Sequence, residues 1–427
     1  MLALLVVGSA LLVLVLVYAL EQIFLQKHRS RIPLRICVTG TRGKSSVVRT
    51  LAAAFRGSGR SVLAKTTGSR PMLLLPDGSE FELQRPGRPS VLEQLQLLRL
   101  AAARKVEVVV SEMMGIRPEI LRLESRRIFK PQVLVLTNAR SDHREHWGSD
   151  RESAARCLAE AVCEGCAVFV PEEGNQTVWQ EAAARVKAEL HPVPAGSGGQ
   201  VDEEASQGDS KGILPGDFRF EADRRLVEAV TDYVGLDKQT VREGVDRVSP
   251  DLGGLKIWRW QEKRPLDTIQ GQEPQAPEQG RESGALQLDC VSAFAANDPE
   301  STRKVLEVLE GRGWLGEKQL WGLLNLRRDR GDRTLQWLES FGSGEWPEIS
   351  ELFVMGDPSR AFARRLWASP EKVRCRIIRD QRPEVVMSAL AAQATGAAVL
   401  ILGMGNVGGA GRELIEYWER EGERVAV

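Results

Sequence analysis

Arg35-Ile-Cys-Val-Thr39 runs without a break into Gly40-Thr-Arg-Gly-Lys-Ser-Ser46, and a helix-forming stretch opens at Val47. A strand that feeds a glycine loop and then a helix admits few architectures, because the loop amides and the helix N-terminus must converge at the carboxyl end of a buried parallel strand. Such a loop wraps backbone N–H groups around nucleotide phosphates. Lys44 adds a point charge at the outer phosphates and Ser45 offers a hydroxyl to a divalent cation, with Gly40, Thr41, Arg42, Gly43 and Ser46 completing the cradle. The residue five before Gly43 is Val38, so the loop is a shortened form of the general phosphate-loop pattern. The competing reading, a glycine turn with an exposed lysine, does not use the flanking strand and helix.

The rest of the 427-residue chain repeats that alternation. Residues 35–39, 61–64, 106–110, 133–137 and 167–170 read as buried strands, and 45–58, 91–103 and 151–164 as helices. This is the pattern of a parallel sheet covered on both faces. It restarts at 286–291, 320–325, 351–356, 374–378 and 399–403, which implies a second α/β domain. Polar, glycine-rich stretches at 195–212 and 261–284 read as loops, and Ser249-Pro-Asp-Leu-Gly-Gly254 as the hinge between domains.

Several groups fall at strand ends, where open α/β sheets bind ligands. Ser111-Glu112 closes the third strand and places a carboxylate where a hard cation is held. Asn138, Asp142 and His143 follow the fourth and could position metal, nucleophile or transferred phosphoryl group. Asn325-Leu-Arg-Arg-Asp-Arg-Gly-Asp-Arg-Thr334 concentrates arginines suited to phosphate and carboxylate oxygens; a salt-bridged surface loop is the alternative. In Ala293-Phe-Ala-Ala-Asn-Asp-Pro-Glu-Ser301, Asp298 or Ser301 caps the next helix. Gly403-Met-Gly-Asn-Val-Gly408 mimics a dinucleotide fingerprint, but no second strand with a ribose-binding acid follows; a tight turn presenting Asn406 to substrate is expected instead. Cys163 and Cys166 form a C-x-x-C without further ligands nearby, and read as structural thiols.

Residues 1–20 carry no charged side chain, and Lys27, His28, Arg29, Arg31 and Arg35 follow. About 20 apolar residues span the ~30 Å hydrocarbon core. The basic flank places the remainder in the cytoplasm by the positive-inside rule. A cleaved signal peptide would need basic residues ahead of the apolar run and a small-x-small site behind it, and neither is clear. The 58 basic and 58 acidic residues balance, so no global field gathers nucleic acid, and none is expected as partner.

Gly40-Thr-x-Gly-Lys-Ser45, Glu112 and Thr137-Asn-x-x-x-Asp-His143 resemble the ATPase domain of the Mur ligase superfamily. The apolar leader, Ala64-Lys-Thr-Thr-Gly68, Val110-Ser-Glu-Met113 and Ala293–Asp298 resemble more closely its PgsB/CapB family of poly-γ-glutamate synthase subunits, over nearly the whole chain. The resemblance implies an α/β protein: a transmembrane helix over 1–26, a P-loop parallel-sheet ATPase domain of Mur-ligase type over 27–254, and a smaller Rossmann-like domain over 255–427 with the insertion 261–284.

It further implies an ADP-forming ligase that activates a glutamate γ-carboxylate with ATP and Mg²⁺, Mn²⁺ being an alternative ion. Lys44, Asn138, Asp142 and His143 would be catalytic, and Ser45, Glu112 and His143 would hold metal. Asn297, Asn325, Arg327, Asp329, Arg330 and Arg333 would join the loop around ATP, although Ala296 replaces the histidine usual before Asn297. Thr66, Thr67, Ser69 and Asn406 would meet substrate. The implied partners are glutamate, poly-γ-glutamate, the membrane and small membrane subunits of a synthase or export complex, with homo-oligomerisation open. A Mur- or folylpolyglutamate-type ligase with another substrate and a non-ligating regulatory P-loop ATPase remain as alternatives.

Overall fold

The computed structural model describes residues 2–67, 71–85, 87, 89–139, 147, 150–172, 174–194, 221–246, 255–261, 286–370, 373–394 and 398–425. Asp142, His143, Ser69, the hinge at 249–254 and the loops at 195–212 and 262–284 lie outside them. The chain forms two compact units that divide between residues 251 and 252.

The first unit is built on strands β1 (Leu34–Thr39), β2 (Val62–Lys65), β3 (Met72–Leu74), β4 (Glu80–Glu82), β5 (Val108–Glu112), β6 (Val133–Leu136), β7 (Ala167–Pro171) and β8 (Glu189–Val193). Their order is β4-β3-β2-β5-β1-β6-β7-β8. The six from β2 to β8 are parallel; five of them are the strands expected from the sequence, and β8 is an addition to them. Strands β3 and β4 are antiparallel additions at one edge that the sequence reading passed over. Their turn carries Pro76-Asp-Gly78, and the Asp77 carboxylate accepts the Ser79 N–H at 2.9 Å.

Side chains alternate through this sheet. Ile36, Val38, Val108, Val110, Val133 and Val135 enter one core, with helices Lys44–Gly57, Glu221–Tyr233 and Lys238–Asp246 over it. Cys37, Val109, Leu134 and Leu136 enter the other, under helix Leu92–Arg104 and its neighbours. This two-sided burial explains the uninterrupted apolar runs read as strands. The expected helix over 151–164 ends at Leu158 and gives way to a short 3₁₀ turn, Ala159–Ala161.

The N-terminal helix spans Leu2–Ser30, and residues Leu5–Ser30 are long and apolar enough to cross a membrane. From Leu5 to Leu20 its apolar side chains are exposed. Its base is fastened to the unit. Leu25 packs into the core, and the Arg29 guanidinium donates to the Arg127 carbonyl at 2.8 Å. Arg35 donates to the carbonyls of Arg29, Ile32, Phe129 and Lys130. Two cations of the basic flank are therefore also structural fasteners.

The second unit has strands β9 (Lys256–Gln261), β10 (Gln287–Ser292), β11 (Gln319–Leu326), β12 (Ile349–Gly356), β13 (Cys375–Ile377), β14 (Val399–Gly405) and β15 (Glu423–Arg424), ordered β13-β12-β11-β14-β10-β9-β15. The five expected strands are the parallel body. The antiparallel strand β9, between β10 and the short edge strand β15, takes in Gln261, the first residue of the stretch 261–284 that reads as a loop. Trp258 and Trp260 bury its apolar face against Trp418 and Phe294, and this aromatic packing outweighs the polar residues that follow.

Candidate active site

In the first unit the strand order reverses about β1: the chain passes from β1 out to β2, returns through β5 and crosses to β6. Ligand crevices form at such switch points, outside the carboxyl ends. There the loop from Gly40 to Ser46 lies against the end of β6. Gly40 has φ +134°, and a Cβ on it would stand 2.2 Å from Thr137 Oγ1 and 3.0 and 3.1 Å from the amide nitrogens of Thr137 and Asn138. Only glycine fits that approach. Thr41 donates its N–H to the Asn138 carbonyl at 3.0 Å.

Asn138, expected to be catalytic, spends its side chain on the loop. Its Oδ1 accepts the Thr41 hydroxyl and, at 3.1 Å, the Arg42 N–H, while its Nδ2 donates to the Arg42 carbonyl at 3.1 Å. Thr137 Oγ1 also donates to that carbonyl. Asn138 thus braces the cradle. Lys44 opens its helix and curls back so that Nζ donates to the Gly40 carbonyl at 2.8 Å. That conformation lays a cation along the loop, where phosphate oxygens would compete for it.

The strand-end carboxylate is where the sequence places it. Glu112, 3% exposed, accepts through one oxygen from the Ser45 hydroxyl at 2.7 Å and from the Thr67 N–H at 2.8 Å. One atom therefore joins the phosphate loop to the segment expected to meet substrate. Thr66 closes the turn into β3 instead: its hydroxyl accepts the Met72 N–H at 3.2 Å.

Three features at this edge escaped the sequence reading. Asp223, from helix Glu221–Tyr233, sets its carboxylate against the loop, 2.5 Å from where a Cβ on Gly43 would stand. Lys65 is buried one residue before Thr66 and pairs with Glu93 at 3.1 Å. Burial lowers the Lys65 pKa while the Glu93 charge and hydrogen bond oppose that fall. Glu124 is buried beside them, and desolvation raises its pKa against the hydrogen bonds it accepts. The three acids and the lysine come from elements far apart in sequence, so no local spacing announces them.

In the second unit β11 and β14 are neighbours, with Asn325 opposite Gly405. That register gathers Asn325, Arg327, Asp329, Arg330 and Asn406 at one sheet edge, and β10 brings Asn297 to the same edge. The two asparagines are directed inward. Asn325 Nδ2 donates to the carbonyls of Asn406 and Gly408 at 2.6 and 3.1 Å, and Asn406 Nδ2 to the Asn325 carbonyl at 3.3 Å. They staple the two segments together and fix Asn406, expected to meet substrate, at this strand end. Arg327 grips Asp329 with two hydrogen bonds of 3.0 and 2.8 Å; burial pushes the Asp329 pKa up, but Arg327 outweighs it and holds it below the usual value. Arg333 is buried in helix Gly331–Gly342. Asp298 is the helix cap, accepting the Ser301 N–H at 2.8 Å. Cys163 and Cys166 are buried and free, with the Cys163 thiol pKa pushed upward by the Cys166 hydrogen bond and by burial.

Comparison with known proteins adds three findings. Residues 38–185 match the family model for the Mur ligase middle domain, and residues 280–421 that for the poly-gamma-glutamate synthase CapB C-terminal domain. The chain is 24% identical over 412 residues to PGA synthase CapB of Bacillus subtilis, covering 95% of each protein. It is 23% identical over 334 residues to capsule biosynthesis protein CapB of Bacillus anthracis, covering 78% of this chain and 65% of that one. Its fold is shared with E. coli FolC in complex with ADP (TM-score 0.62, 17% identity, covering 93% of this chain and 90% of that one). It is shared also with the Yersinia pestis bifunctional folylpolyglutamate synthase/dihydrofolate synthase complexed with AMPPNP and Mn ion (TM-score 0.61, 16% identity, covering 93% and 90%).

Proposed function

We propose that this chain, which joins a Mur ligase middle domain to a CapB C-terminal domain and so belongs to the poly-γ-glutamate synthase family of Mur ligases, is an ATP-dependent amide ligase that elongates poly-γ-glutamate. The observation that carries this reading is the Glu112 carboxylate, joined to Ser45 of the phosphate loop and to the Thr67 amide.

A carboxylate resists attack by an amine because oxide is a poor leaving group. Transfer of the ATP γ-phosphoryl to a glutamate γ-carboxylate makes an acyl phosphate and ADP. An amine then attacks the acyl carbon, the C–O bond breaks, phosphate leaves, and the amine loses a proton. In-line transfer asks the protein mainly for positioning and for donors facing the charge that develops. The amides from Gly43 onward, at the helix N-terminus, and Lys44 Nζ would supply those donors once Lys44 leaves the Gly40 carbonyl. The Thr67 region borders the loop through Glu112, which suits it to orient the carboxylate substrate.

A divalent cation bound here would neutralise charge on the phosphate oxygens. The residues fit such an ion: Ser45 and Glu112 offer hard oxygen donors 2.7 Å apart. Among the described residues no cluster of three or more His, Cys, Asp or Glu could hold a metal alone. Mg²⁺ suits a site of this kind, since it takes one or two protein oxygens together with substrate phosphates. His143 is a further proposed ligand, and Asp142 stands beside it in the sequence.

Localisation follows from the apolar helix. The apolar residues exposed from Leu5 to Leu20 would cross the membrane once, and the basic flank, fastened to the first unit through Arg29, would lie on the cytoplasmic side. There the polymer would pass to small membrane subunits for export.

The decisive experiment incubates purified membranes with glutamate, Mg²⁺ and ATP, and follows nucleotide and polymer together. Glutamate-dependent release of ADP and γ-linked polymer is expected from the native chain, and neither from Lys44→Ala. AMP with pyrophosphate would mean adenylation, and unaltered turnover in Lys44→Ala would remove the phosphate loop from the mechanism.

A further inference from the structure

The peptide that carries Glu112 is held from behind by groups that touch neither the phosphate loop nor Thr67. Gln94, in the first turn of helix Leu92–Arg104, is buried, and its Nε2 donates to the Glu112 carbonyl at 3.1 Å. Its Oε1 accepts the Ser111 hydroxyl at 2.7 Å. The same Nε2 donates to Glu124, whose carboxylate also accepts the Met114 N–H at 3.0 Å and the Gly115 N–H at 2.9 Å. Met113 donates its N–H to the Val38 carbonyl at 2.9 Å. The Glu112 carbonyl and the N–H groups of Met113, Met114 and Gly115 thus have partners in Gln94, β1 and Glu124.

Two details separate this from ordinary satisfaction of core polar groups. Glu124 lies in the π-helical turn Leu123–Phe129, an uncommon geometry that occurs often at functional sites. Glu93, next to Gln94, holds Lys65 at 3.1 Å, and Lys65 is the sheet partner of Ser111. One helical turn therefore grips the end of β2, from which Thr66 and Thr67 depart, and the end of β5, which carries Glu112.

We propose that Gln94 and Glu124 are positioning residues for Glu112, fixing the strand end from which its carboxylate meets Ser45 and Thr67 and thereby setting the affinity of the site for a divalent cation. The inference rests on the proposed role of Glu112 as a metal ligand. Groups standing behind a ligand orient it, and removing them commonly costs 10- to 100-fold in metal affinity or activity.

The test uses the detergent-solubilised full chain. Mn²⁺ binding in the presence of AMPPNP is measured by the electron paramagnetic resonance signal of free Mn²⁺, and thermal stability is measured separately without metal or nucleotide. Ser111→Ala removes one contact mildly, and Glu124→Gln keeps the shape of its side chain. Gln94→Glu sets two carboxylates together, and the exchange variant Gln94→Glu/Glu124→Gln restores an amide–carboxylate pair. We expect Mn²⁺ affinity to fall about tenfold or more in Gln94→Glu and Glu124→Gln, less in Ser111→Ala, and to recover in part in the exchange variant. The ligation rate should rise again at saturating metal, as a change in apparent metal constant requires. Lower melting temperatures with Mn²⁺ affinity unchanged would overturn the proposal and leave Glu112 as a ligand. Failure of the native chain to bind Mn²⁺ with AMPPNP would overturn both.

Discussion

Gly40→Ala probes the contact between phosphate loop and β6 most directly. Its φ of +134° lies where side chains are rarely found, at a cost on the order of 1–3 kcal/mol. The added Cβ would also stand 2.2 Å from Thr137 Oγ1. Thr137 can rotate away only by releasing the Arg42 carbonyl, at about 1 kcal/mol. The amides of Thr137 and Asn138, at 3.0 and 3.1 Å, are backbone and cannot rotate away. Lifting the loop instead breaks the Thr41 and Arg42 N–H bonds to Asn138, again at about 1 kcal/mol each.

Either route costs roughly 2–4 kcal/mol in the binding-competent loop, or about 30- to 700-fold in nucleotide affinity. Gly59→Ala separates crowding from backbone strain, because Gly59 also has positive φ, +79°, but open space around its Cβ position. It should lose about 1–2 kcal/mol of stability and bind nucleotide normally. Titration calorimetry with AMPPNP, paired with melting curves, reads both quantities. Equal melting shifts in the two variants with native affinity in Gly40→Ala would refute the fit of loop to strand.

Burial raises the Glu93 pKa, but Arg85 and Lys65 outweigh it and hold it below the ordinary glutamate value of 4.5, so its stabilisation is full above pH 4.5 and lost as pH falls through the lowered folded value. Acid unfolding of Glu93→Gln should therefore be shallower in that window, and an unchanged profile would mean that the ion pair contributes nothing. Asp298→Ala removes the cap of helix Pro299–Gly311 and should cost about 1 kcal/mol, read as a lower melting transition of the second unit; an unchanged transition would deny the cap a stabilising role.

The sheet bodies were legible because their cause is local. A strand buried on both faces has to be apolar along its length, and the runs through Val109, Val135, Leu323 and Ile401 are so by residue type alone. The edges were not. Met72–Leu74 and Glu80–Glu82 are too short and too mixed to differ from loop, and only Pro76-Asp-Gly78 marked their turn. The phosphate loop was legible for the same local reason, since its residues are contiguous. Glu112 was found because a strand end is itself a position with meaning.

What surrounds Glu112 follows a different logic. Lys65, Gln94, Ser111 and Glu124 come from β2, a helix N-terminus, β5 and a π-helical turn, and each has an ordinary local explanation. Gln94 and Glu93 look like the polar opening of any helix. They differ in that Gln94 is buried and Glu93 half-buried against Lys65, and burial is a property of the assembled unit. A hydrogen-bonded network pays for its desolvation only when complete, so each member constrains the others through contacts that chain order does not record. The asparagine pair illustrates the converse. Asn325 and Asn406 have the residue type and strand-end position of ligand-binding groups, yet the register of β11 against β14 turns them toward each other. A strand-end polar residue is thus read for chemistry together with its partners across the sheet: Glu112 faces Ser45 and Thr67 across the loop, whereas Asn406 donates to the Asn325 carbonyl.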